Sequence, residues 1–148
     1  MQRHEWDCGV AALKMVLDHY GIQTAYDELL RRADTGTRAG TSMLALKQLS
    51  ESHGLRCAGW RLAACDLRGI PLPAILLLRR GHFVVLSSIS AANEVILLDP
   101  ARGRLRVSLR RLRSLWEGEA LLFNSHESIP DSYERWFGTR PLPQFPPP

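Results

Sequence analysis

The apolar residues of this chain change their spacing once, and that change constrains the fold more than any other feature. From Gly9 to His53 they recur at helical intervals; from Leu55 to Phe123 they gather into short runs broken by Gly, Pro and Asn. Val10, Leu13, Met15, Val16 and Leu17 mark one face of a helix over 9–20 that Gly21 stops, with Asp7 or Cys8 at its N-cap. A second helix fits Tyr26–Arg32. A polar loop between Gly36 and Gly40 follows. Thr41 or Ser42 then caps a third helix to His53, with Met43, Leu46, Leu49 and Leu44 inward and Gly54 at its end.

The second half reads as strands. Residues 55–60 form a short one, 62–67 a helical turn, and Ala74–Leu78 a strand buried on both faces. Arg79-Arg80-Gly81 is a turn. Residues 83–90 and 94–98 make a hairpin around Ala91-Ala92-Asn93. A strand over 104–107, a helix from Ser108 to about Trp116 and a last strand over 120–123 complete the pattern. Helices first and strands second predict an α+β domain, N-terminal helices packed on a mostly antiparallel sheet.

That domain is expected over residues 1–124, with 125–148 a proline-rich tail or linker ending Pro146-Pro147-Pro148. The net charge of +4 is almost entirely arginine, because Lys14 and Lys47 are the only lysines. No basic stretch is interleaved with aromatics as single-strand binders require, so nucleic acid is not an expected partner. Three cysteines, an odd number, indicate a reducing compartment and no disulfide scaffold. The N-terminus carries no secretion signal, and the longest apolar run, Ile70–Leu78 with two prolines inside, is too short to cross a bilayer. The expected location is cytoplasmic.

Three residues at the ends of regular elements carry chemistry. Cys8 opens the first helix, where partial positive charge and free N–H groups stabilise a thiolate. His82 begins a strand directly after a turn. Asp99 closes the next strand, so antiparallel pairing places it beside His82, within reach of an Nδ1–H to carboxylate bond. Cysteine, histidine and carboxylate are the parts of a thiol nucleophile, its base and the group that orients the base. Each also has a plainer reading: a small buried hydrophobe, a surface histidine, an Asp-Pro turn. The same three residues could hold a catalytic zinc with water as fourth ligand, but no Cys-x2-Cys or His-x3-His pair reinforces that, and no cofactor is expected. Cys57 and Cys65 lack such a context and read as structural. Gln2, six residues before Cys8, has an amide that could reach a developing oxyanion.

Taken together, Gln2-x4-Asp7-Cys8-Gly9-Val10-Ala11-Ala12-Leu13-x-Met15-Val16-Leu17-x-x-Tyr20-Gly21, then Gly40-Thr41-Ser42, His82-Phe83-Val84-Val85-Leu86 and Leu98-Asp99-Pro100 resemble, in order, the landmarks of the C39 peptidases. These are papain-like domains at the N-terminus of bacterial ABC exporters of bacteriocins and related peptides. The resemblance spans roughly residues 1–124. It implies a papain-like fold with Cys8 as nucleophile, His82 as general base, Asp99 as its partner and Gln2 as oxyanion-hole donor. It further implies a precursor peptide, cut after a double-glycine-type motif (Gly-Gly or Gly-Ala), and an ABC exporter as partner, with the membrane met only through that transporter. Relatives without the cysteine only bind leaders, so a recognition domain is the alternative. A deamidase or transamidase built on the same triad is a third reading.

Overall fold

The computed structural model describes residues 7–33 and 42–123. Gln2, the Gly36–Gly40 loop, Thr41 and the tail lie outside those residues. Four helices and six strands follow in the order α1 (Cys8–His19), α2 (Tyr26–Arg32), α3 (Met43–Ser52), β1 (Cys57–Arg61), β2 (Ala74–Leu78), β3 (His82–Ile89), β4 (Glu94–Asp99), β5 (Gly103–Ser108), α4 (Leu109–Leu115) and β6 (Trp116–Phe123). A 3-10 turn over Ala64–Gly69 links β1 to β2. The expected α+β class is the observed one.

α1 is the central helix. Every residue from Cys8 to Leu13 is buried, as are Val16 and Leu17, because α2 and α3 cover the sides that the sheet does not. Its end is a Schellman motif: Gly21 N–H bonds to Asp18 O at 3.1 Å and Ile22 N–H to Leu17 O at 2.9 Å. α3 ends the same way through Gly54 and Leu55. It begins at Ser42, whose Oγ accepts from Ala45 N–H at 3.1 Å. Leu44 is half-exposed on its flank instead of facing inward; buried Ser50 takes an inner position, donating to Leu55 O at 2.8 Å.

The sheet order is β1-β6-β2-β3-β4-β5, and each neighbouring pair is antiparallel. Ile75, Phe83, Val85, Leu121 and Phe123 pack against α1–α3. Leu76, Val84, Leu86, Leu97, Ala120 and Leu122 point the other way, onto Leu112 of α4, Trp60 and Leu67. Burial on both faces is why these strands read as continuous apolar runs.

Two boundaries differ from expectation. β1 starts at Cys57, because Leu55 closes the α3 cap. β6 starts at Trp116, four residues early, and takes in Glu117-Gly118-Glu119, which lay between the expected helix and strand. Gly118, at φ +107, makes this possible: a Cβ there would lie 2.6 Å from Leu62 O. Leu62 N–H donates to Gly118 O at 2.8 Å, extending the β1–β6 ladder past Arg61.

Candidate active site

The sheet end at which β2 and β4 finish and β3 begins carries the candidate site. Leu78 is the cross-strand partner of His82, and the N-terminus of α1 meets the same end through packing of α1 on β3. Gly9 sets that approach. A Cβ at Gly9 would lie 3.0 Å from the Phe83 ring and 3.1 Å from Leu46 Cδ1, so only glycine lets the first turn of α1 settle this close to β3.

The Cys8 thiol and the His82 imidazole lie close enough to shift each other's titration. His82 Nε2 lies 3.0 Å from Asp99 Oδ1. Nε2 is thus committed to the carboxylate, and Nδ1 is the ring nitrogen that remains for the thiol. This corrects the expected Nδ1–H to carboxylate bond: the neighbours are as expected, but the ring is reversed. A zinc ion would need all three side chains to converge on one point, whereas here the imidazole stands between the other two.

Asp99 is 3% exposed, and its Oδ1 also accepts from Ala101 N–H at 2.8 Å and Arg102 N–H at 3.3 Å. Those bonds hold the carboxylate in place with its charge satisfied, as a buried anion requires. His82 is the most open member, its side chain 31% exposed; Cys8 as a residue is 6% exposed.

The electrostatics favour a charged pair. Burial pushes the Cys8 thiol upward, and this is its largest single influence. The hydrogen bond from His82, the N–H groups of Phe83 and Gly9 and the charge of the imidazole together outweigh burial and leave the thiol below an ordinary cysteine. His82 moves up, first through its bond to Cys8, against burial, and then through the bond and charge of Asp99. Cys57 shows the opposite case: burial without such donors pushes its thiol up to about 12. That agrees with the structural role expected of Cys57.

Two contributors were not singled out by the sequence. Asp7 occupies the N-cap, but its side chain caps nothing; its Oδ2 accepts from Tyr26 Oη at 2.8 Å. The first-turn N–H groups are therefore not taken by the cap, and that of Gly9 reaches the sulfur. Phe83 supplies the other N–H. The only hints in the sequence are adjacency, Gly9 following Cys8 and Phe83 following His82. Gln2 falls outside the described residues, and so does any bond it makes.

Comparison with known proteins gives a consistent picture. A sequence model of the peptidase C39 family matches residues 1–128. The chain is 36% identical over 127 residues to the probable functional amyloid protease FapD of Pseudomonas aeruginosa, covering 79% of this chain and 56% of that protein. It is 29% identical over 140 residues to the lactococcin-G-processing and transport ATP-binding protein LagD of Lactococcus lactis, covering 90% of this chain and 20% of LagD. Among solved structures, a double glycine motif protease from an AMS/PCAT transporter, in complex with the leader peptide, superimposes with a TM-score of 0.79 at 25% identity, over 84% of this chain and 89% of that one. The chain thus spans about half of FapD and a fifth of LagD. Among the described residues, no helix is long and apolar enough to cross a membrane.

Proposed function

The chain belongs to the peptidase C39 family, a cysteine peptidase family, and on that premise we propose that it cuts precursor peptides after a double-glycine-type pair, Gly-Gly or Gly-Ala. Cys8 is the nucleophile, His82 the acid and base, and Asp99 the residue that holds the ring. Gln2 and the Cys8 N–H receive the oxyanion. The observation that carries this reading is a single imidazole bonded to the buried Asp99 carboxylate and electrostatically coupled to the Cys8 thiol.

The reaction is acyl transfer. The Cys8 thiolate attacks the carbonyl carbon, forming a C–S bond while the carbonyl oxygen takes the negative charge. As the C–N bond breaks, imidazolium His82 gives its proton to the departing amine. Water then attacks the thioester, loses a proton to His82 and expels the thiolate, which restores the ion pair and releases the leader as a free acid.

The proposed partner is an ABC exporter at the inner face of a membrane, with the domain itself cytoplasmic. LagD, whose name joins processing to transport, supports that placement. The stronger likeness to FapD, named as a protease for a functional amyloid, means that the reading specifies the cut and leaves the cargo open.

A quenched fluorescent peptide carrying a leader that ends in Gly-Gly tests the proposal. Hydrolysis at the Gly-Gly bond that disappears in Cys8→Ala is the expected result. Binding without turnover in the unaltered protein overturns it in favour of a recognition domain, and ammonia release from a glutamine peptide overturns it in favour of a deamidase.

A further inference from the structure

A cleft opens at the turn that precedes His82, between the end of β2 and the start of β6. It encloses about 180 Å³ and is lined by Leu78, Arg79, Arg80, Gly81, Glu117 and Glu119 among others. Gly81 immediately precedes His82, and Leu78 pairs across the ladders with both His82 and Trp116. The cleft is therefore continuous with the sheet end that holds the imidazole.

The chemistry gives this location a meaning. During cleavage the acyl part of the substrate is held on the Cys8 sulfur, so the residues before the cut remain on the α1 side. The amine must leave over the imidazole that protonates it. The chain after the cut is thereby directed past His82, toward the turn that carries Arg79, Arg80 and Gly81.

The lining charges are unequal. Arg79 is committed: its Nε donates to Ser114 O at 3.1 Å and its Nη1 pairs with Glu117. Glu119 pairs with Arg61 Nη2 at 3.2 Å. Arg80 is exposed and forms no ion pair among the described residues. It also holds a left-handed backbone, φ 68, a conformation that glycine would adopt without strain. Such strain is characteristically retained where a side chain serves a function.

We propose that this cleft receives the peptide segment following the scissile bond, and that Arg80 selects an acidic side chain there. The inference rests on the peptidase reading above. It assigns Arg80 to specificity, with no part in bond breaking.

Two quenched peptides, identical through the Gly-Gly pair and differing only in Glu or Lys at the second residue after the cut, test it. The unaltered protein is expected to cleave the Glu peptide with a kcat/KM roughly five- to tenfold higher at low salt, the range of an exposed charge contact counted once as attraction and once as repulsion. The preference should shrink at high ionic strength. Arg80→Gly, which relaxes the backbone and so keeps the fold, should bring the ratio to about one, and Arg80→Glu should invert it. Equal cleavage of both peptides by the unaltered protein overturns the Arg80 assignment and leaves the peptidase reading standing. An unchanged preference in Arg80→Gly also overturns it. If neither peptide is cut, both readings fall.

Discussion

His82 Nε2 and Asp99 Oδ1 are 3.0 Å apart, yet the two residues are not cross-strand partners. At the site end of the hairpin Val85 faces Leu98 and Leu86 faces Leu97; beyond a bulge at Ser87, Ser88 faces Ile96 and Ile89 faces Val95. Continued from that far end without the extra residue, the ladder would set Asp99 opposite Val85, on the face opposite to His82. The bulge moves Asp99 opposite Val84, diagonal to His82 and on its side.

Asp99→Asn keeps the size of the side chain and removes its charge. Activity should fall roughly 10- to 10²-fold, short of complete loss, because the residue orients the ring and transfers no proton. Steady-state kinetics with the Gly-Gly peptide read this out, and an unchanged rate would show that Asp99 has no orienting role.

The opposed shifts of Cys8 and His82 predict a bell-shaped pH profile. Activity should rise with pH as the thiolate–imidazolium pair forms and fall as that pair loses its remaining proton, the lowered Cys8 value and the raised His82 value both favouring the pair. Titration of His82 by NMR supplies the matching test. Since its upward shift comes first from Cys8, Cys8→Ala should lower the His82 value, and a value that stays put would deny the thiol–imidazole contact.

Alkylation should separate the cysteines. Cys8, activated and reached past the open side of His82, and Cys65, exposed, should both take up iodoacetamide in the folded protein, while Cys57 should react only on unfolding. Mass spectrometry of the labelled peptides checks this. A Cys8 that stays unlabelled would leave the peptidase without a reachable nucleophile.

Gly9→Ala probes the approach of α1 to β3. The new methyl meets the Phe83 ring and Leu46, both buried, so these side chains or the helix must give by a few tenths of an ångström. Crowding costs about 1–3 kcal/mol and outweighs the smaller gain, at most about 1 kcal/mol, from replacing glycine inside a helix. Denaturation should show a net loss near 1 kcal/mol, with a larger relative loss in kcat. Phe83→Leu in the same chain should recover part of both; recovery of neither would mean that the contact does not set the geometry.

Much of the scaffold was legible in the sequence because period and stop signals agree. α1 and β2 are bounded by residues that announce themselves, namely Gly21 and the Pro73 and Arg79 flanks. Cys8, His82 and Asp99 were legible as neighbours from helix start and hairpin pairing. What stayed hidden depends on contacts between distant segments. Gly118 has no place in a strand until Leu62 comes against it, and Ser87 looks like one more strand residue until the ladder is counted. The ring face that His82 offers to Asp99 follows from where α1 lies. Arg80 reads as a bare turn residue, since neither its backbone angle nor its cleft exists before β6 is in place.

The position of β6 carries a consequence for biosynthesis. Among the described residues the last strand in chain order is wedged between the first two, Phe123 against Cys57 and Leu121 against Ile75. A ribosome-bound chain that has not yet delivered residues 116–123 leaves β1 and β2 with bare edges and the hydrophobic layer split. Cys8 precedes every described strand, so on the peptidase reading its thiol waits for residues 116–123 before the site is complete.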